Sequence, residues 1–165
     1  MTDTITKERR SYVMSRIRSR DTKPEMVVRR YLFSRGLRFR VNARNLPGHP
    51  DVVLAKYRAI VEIRGCFWHR HEGCATATSP KSHVRFWREK FKRNVARDKL
   101  HEEQWAAAGW RVFIVWECEL RPFVREITLA KLYAAIVGNP TFAYAEEEPS
   151  VTIPLAAETA AEYKA

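Results

Sequence analysis

Residues 46–66 read LPGHPDVVLAKYRAIVEIRGC, and this stretch decides the fold. Asp51 to Leu54 opens a strand, and the apolar run Ala59 to Ile63 forms a second one. Tyr57 and Arg58 between them are too few for a crossover, so the two strands are predicted to pair antiparallel as a hairpin. That pairing makes Asp51 a neighbour of residues 62–64. The resulting pattern, PD followed by ExR, suits a hard divalent cation: magnesium takes oxygen ligands and keeps several waters, and Asp51, Glu62 and the carbonyl of Ile63 would hold it against a phosphate, with Arg64 close by. The plain alternative is two ordinary strand ends with Asp51 in the turn.

Working outward, Thr22-Lys23-Pro24-Glu25 has capping-box spacing, and Val27, Val28, Tyr31 and Leu32 recur at helical intervals until Gly36. A helix is predicted over 23–35. Leu37, Phe39 and Val41 alternate with Arg38 and Arg40 as a half-buried strand would, and Asn45 to Gly48 forms a turn. Residues 65–80 lack periodicity and are rich in Cys, His and Gly, the composition of a loop organised by something other than packing. Ser82 is placed as the cap of a long helix ending at Gly109, followed by a buried strand Trp110–Trp116 and a last helix from Pro122 to Gly138. The whole reads as one α/β domain over 21–140, preceded by a basic arm, 1–20, to which Tyr12, Val13, Met14 and Ile17 contribute. An acidic tail follows over 141–165, with Glu146-Glu147-Glu148.

The chain has 165 residues, 45% of them hydrophobic, enough for a continuous core. Its 30 Lys and Arg against 19 Asp and Glu give a formal charge of +11, which selects a polyanionic partner, nucleic acid before anionic membrane. The cations concentrate at 7–44 (13 against 3 acids) and 81–99 (8 against 2). Such runs are also what solvated helix faces look like. No apolar stretch is long enough to span a membrane and the N-terminus has no signal-peptide core, so a cytoplasmic protein is expected.

Three cysteines cannot form a fully paired disulfide framework. Cys66, His71 and Cys74, joined by Cys118, instead make a Cys3His set whose soft donors suit tetrahedral zinc. Four protein ligands would close the coordination sphere, so such a zinc would fix the loop and not activate water. Phe67 and Trp68 in this loop and Trp87 on the long helix are either wedges that enter base steps or a small core around the metal. His69 is a candidate proton shuttle, or an ordinary histidine.

Five segments, RDTKPE (20–25), LPGHPD (46–51), GCFWHRH (65–71), FWREKFKRNVARD (86–98) and GWRVFIVWEC (109–118), resemble in order the very short patch repair (Vsr) mismatch endonucleases. The resemblance implies a restriction-endonuclease-like core of the PD-(D/E)xK superfamily, a central mixed β-sheet flanked by helices. It implies structural zinc on Cys66, His71, Cys74 and Cys118, and catalytic magnesium on Asp51 with the carbonyl of Ile63. His69 matches the catalytic histidine and Glu25 the carboxylate that supports it, although Glu25 is equally explained as a capping residue. Phe67, Trp68 and Trp87 match the intercalating aromatics, and Lys90 and Asn94 belong to the same DNA-facing set. The implied reaction is magnesium-dependent nicking of one strand 5′ of the T in T:G mismatches, which arise by deamination of 5-methylcytosine. Double-stranded mismatched DNA is then the partner, with other repair proteins alongside, and the chain is expected to be a monomer at the bacterial nucleoid.

The departure from the family pattern is at 62–64. Where the family has an aromatic residue and a histidine, this chain has Glu62 and Arg64. Arginine is no proton-transfer base near neutral pH, but it stabilises phosphate charge. The alternatives are therefore a two-carboxylate metal site, a zinc-containing DNA-binding protein that no longer cuts, or a nickase of altered specificity.

Overall fold

A computed structural model describes residues 6–16 and 20–138. Its elements are α1 (Lys7–Ser15), α2 (Lys23–Ser34), β1 (Val52–Leu54), β2 (Ala59–Arg64), α3 (Cys66–His69), α4 (Val84–Ala107), β3 (Arg111–Trp116) and α5 (Arg125–Val137). Short 3-10 turns, Ala55–Tyr57 and Glu117–Leu120, follow β1 and β3. The three strands form one mixed sheet in the order β1-β2-β3, antiparallel then parallel, flanked by helices. This is the α/β architecture expected. The acidic tail, Ile17 and the side chains of Val13 and Met14 lie outside the described residues.

The hairpin closes as the spacing requires: Val52 pairs with Val61 and Leu54 with Ala59, while Arg58 takes the left-handed conformation (φ 50°) that turns the chain. Alternation along the strands then sorts side chains by face. Val52, Leu54, Ala59, Val61 and Val115 pack with Val28 and Leu32 of α2 and Leu129, Leu132 and Ile136 of α5. On the other face Val53 and Ile60 pack against Trp105 of α4. Burying side chains of this size contributes about 1.5–3 kcal/mol each. By the same alternation Asp51, Glu62 and Arg64 belong to the α4 face.

Three expectations are corrected. Residues 37–41 do not form a strand: a single antiparallel bridge joins Arg40 to Val53, because Asn42 adopts φ 47° and turns the chain out of the ladder. Ser82 is not the cap of α4; His83 occupies that position in a left-handed conformation without a side-chain cap bond. Strand β3 is less buried than its apolar sequence suggested, with only Val115 fully inside, since it is an edge strand of a three-stranded sheet. The loop after Gly65 also begins with a helical turn, α3, in which the Gly65 carbonyl accepts from the N–H groups of Trp68 and His69 at 3.1 Å each.

Helix α4 holds the two segments that carry the site. Trp105 donates its indole N–H to the Pro47 carbonyl (3.0 Å), and Asn94 donates to the Trp68 carbonyl (3.0 Å). Gly48 abuts the same helix: a Cβ there would fall 2.3 Å from the His101 ring, and φ is +71°. Only glycine satisfies both conditions.

Candidate active site and metal cluster

Val52 pairs with Val61, so one residue further on the same register sets Asp51 against Glu62 at the open end of the hairpin. The Ile63 N–H donates to Asp51 Oδ2 at 2.8 Å and fixes the carboxylate. Burial raises the Asp51 pKa to about 6, against the pull of that hydrogen bond, with Glu25 adding to the rise. Glu62 rises to about 8, from burial first and the Asp51 charge second, with Arg64 opposing. Two carboxylates that resist ionising side by side form a site short of one positive charge, and their all-oxygen donor set fits a hard divalent cation.

Glu25 stands behind Asp51 with both carboxylate oxygens engaged. Thr22 donates to Oε1 at 2.8 Å, while the Asp21 N–H (3.0 Å) and Arg29 (2.9 Å) donate to Oε2. Arg29, itself buried, also donates to the Asp51 carbonyl at 3.2 Å and pairs with Asp21 at 2.6 Å. The capping position and a link to Asp51 thus coexist in one residue: Thr22 caps α2, and Arg29 couples the Glu25 carboxylate to the Asp51 backbone.

His69 ends α3, its Nδ1 lying 2.5 Å from Asp98 Oδ2 on α4. Burial would raise the Asp98 pKa, but its hydrogen bonds and charge contacts with His69 and Arg97 outweigh this and hold it below the ordinary value. Asp98 was missed in the sequence. The available signal was that it is one of two acids in the cation-rich stretch 81–99, four residues after Asn94 and four before Glu102.

Arg64 is buried and paired with Glu102 of α4 at 2.8 Å, and its Nε has no hydrogen-bond partner among the described residues. It faces Glu62 and Asp98 electrostatically, lowering both. A cavity of about 290 Å³ opens beside it, lined by His69, His71, Asp98, Glu102 and Trp116.

Cys66, His71, Cys74 and Cys118 converge, with their ligand atoms all within 4.8 Å of one another. His71 Nδ1 lies 3.3 Å from Cys118 Sγ and 3.6 Å from Cys66 Sγ, and its ring stacks on Trp116 at 4.1 Å. Hydrogen bonding to Thr76 pulls the Cys74 thiol down to about 6, whereas burial and the neighbouring thiols push Cys118 up to about 12. Three sulfurs and an imidazole this close suit a soft cation, which would let all three thiols ionise.

Phe67, Trp68, Trp87 and Phe91 pack edge to face or tilted, with centroids 5.0–6.0 Å apart. Lys90 lies over the Trp68 and Trp87 rings at 5.2 and 5.4 Å. Only Phe91 is buried, and the other three rings remain half-exposed. The aromatics therefore pack on one another along α4.

A family model described as DNA mismatch endonuclease Vsr matches residues 2–75. The type II nicking enzyme V.XorIIP of Xanthomonas oryzae pv. oryzae is 48% identical over 120 residues, covering 73% of this chain and 88% of the relative. V.NmeAIP of Neisseria meningitidis serogroup A is 46% identical (73% and 86% covered), and the DNA mismatch endonuclease Vsr of Escherichia coli K12 is 43% identical (73% and 77%). With relatives this similar matched over most of their length, the chain belongs to the Vsr family of DNA endonucleases.

Proposed function

We propose that this endonuclease nicks one strand of double-stranded DNA 5′ of the T in a T:G mismatch, with magnesium, and so initiates very short patch repair after 5-methylcytosine deamination. The observation that carries the reading is the meeting of Asp51 and Glu62 at one strand end with the His69–Asp98 pair close enough to act on Asp51. Asp98 occupies Nδ1 of His69 and leaves Nε2 to take a proton. The water oxygen joins phosphorus as its proton passes to Nε2, and the P–O3′ bond breaks with its electron pair going to O3′, which takes a proton from solvent, leaving 3′-hydroxyl and 5′-phosphate ends. Magnesium, held by Asp51, Glu62 and the Ile63 carbonyl, would supply the charge neutralisation a phosphodiester needs. Zinc on Cys66, His71, Cys74 and Cys118 would fix α3, and with it His69, relative to β3. Arg64, oriented by Glu102, lends positive charge behind Glu62. Phe67, Trp68 and Trp87 are the wedge that opens the mismatch, with Lys90 and Asn94 beside it.

The test is incubation with a T:G duplex and its matched T:A control, with and without magnesium, resolving both strands. Cutting of the T strand alone, in the mismatch alone, is expected. Cutting of matched DNA at equal rate would contradict it. Because two of the relatives are named as type II nicking enzymes, a second reading is a nickase whose sequence context differs, and a panel of flanking sequences separates the two.

A further inference from the structure

Between Glu25 and Asp51 the chain contains six arginines and no Lys, Asp or Glu. The site uses only Arg29, and Arg35 lies over the Tyr31 and Tyr133 rings. Arg30, Arg38, Arg40 and Arg44 are exposed, and no carboxylate of the described residues forms an ion pair with them. Their position follows from the Arg40–Val53 bridge, closed by two hydrogen bonds of 2.9 and 2.8 Å. Arg40 sits against the free edge of β1, and the antiparallel sense carries the chain towards the end that bears Asp51 until Asn42 turns it away. Leu37 and Phe39 pack into the core cluster with α2 and α5, whereas Arg38 and Arg40 are exposed, Arg40 on the face of its bridge partner Val53. Arg38 also lies over the exposed Phe33 ring at 4.4 Å, with Nη1 donating to the Leu37 carbonyl at 3.4 Å and its other donors without a protein partner among the described residues.

The aromatic group and Lys90 lie on a different part of the chain, α3 and α4. We propose that Arg38, Arg40 and Arg44, extended by Arg30, form a second phosphate track. It would carry the duplex on the β1 side of the nick while the aromatic wedge engages the other side. The inference rests on the carboxylate corner being where the phosphodiester is held. Guanidinium forks on a fixed edge match successive phosphates, whereas the edge exposes only Phe33, under Arg38, and Val41 as large apolar side chains, too little for membrane insertion.

The experiment measures binding of a long T:G duplex in chelator, where no cutting occurs, over a salt series. Arg38→Ala/Arg40→Ala/Arg44→Ala should make the slope of log K against log salt shallower by about 2 to 3, since each phosphate contact contributes about 0.9. Trimming the duplex on one side of the mismatch should weaken the wild type and leave this variant unaffected, and the triple Lys variant should restore the slope. An unchanged slope overturns the track, as does a variant that loses only binding to phosphatidylserine vesicles. Nicking by the wild type with magnesium is scored separately, so an altered slope without any cutting would keep the track and reject the proposed reaction.

Discussion

Two donor clusters meet around the end of β2: Asp51 and Glu62 on one side, Cys66, His71, Cys74 and Cys118 on the other. The second has four donors drawn from three segments and already within 4.8 Å, with one ring clamped by Trp116. The first has two carboxylates whose pKa values burial has raised. A closed soft set suits holding a structure, and an open hard set suits chemistry. The difference also predicts which substitutions should affect activity and which should affect folding.

Asp51→Ala should have the largest effect. Nicking should fall by about a thousandfold or more, some 4 kcal/mol of barrier, while thermal stability and zinc content stay at wild-type levels. Residual cutting near the wild-type rate would remove Asp51 from the chemistry. Cys66→Ala does the opposite: zinc is lost, and stability drops by about 3 kcal/mol, read by denaturant unfolding. Unchanged stability with no bound zinc would show that the cluster does not organise the fold.

Asp98→Asn sharpens the link between the clusters, because Asp98 holds the histidine that α3 presents. It should lower kcat by about a hundredfold with KM little changed. Its stability effect has a sign set by the lowered pKa of Asp98: the contribution is present above the unfolded value near 4 and is lost as pH falls through the folded value. The deficit of Asp98→Asn should therefore be full at neutral pH and shrink below about pH 4, as melting temperatures across pH will show. Glu62→Ala is the smallest effect, a loss of about tenfold or more in apparent magnesium affinity; a superimposable magnesium titration would sink the two-carboxylate site.

The two clusters also differ in how far they were legible beforehand. The Cys3His set could be read from donor chemistry, since few residue types bind soft metals and all three cysteines had to be placed. The hairpin was legible because Tyr57-Arg58 is too short for a crossover. What escaped was long-range or conformational. Asp98 and Glu102 meet His69 and Arg64 across 29 and 38 residues, which no local period reports. The strand expected at Leu37–Val41 had the right alternation and failed at Asn42, where a left-handed turn ends the pairing after one bridge. Arg64 was expected near the phosphate, and nothing in its neighbours announced the ion pair to α4.

The most direct test of an open catalytic site beside a closed structural one is a magnesium titration of T:G nicking with zinc counted by mass spectrometry in the same samples, for wild type and Asp51→Ala. One zinc per chain is expected in both proteins, and nicking only by the wild type and only when magnesium is added. Loss of zinc from Asp51→Ala, or nicking by the wild type without added divalent cation, would contradict it.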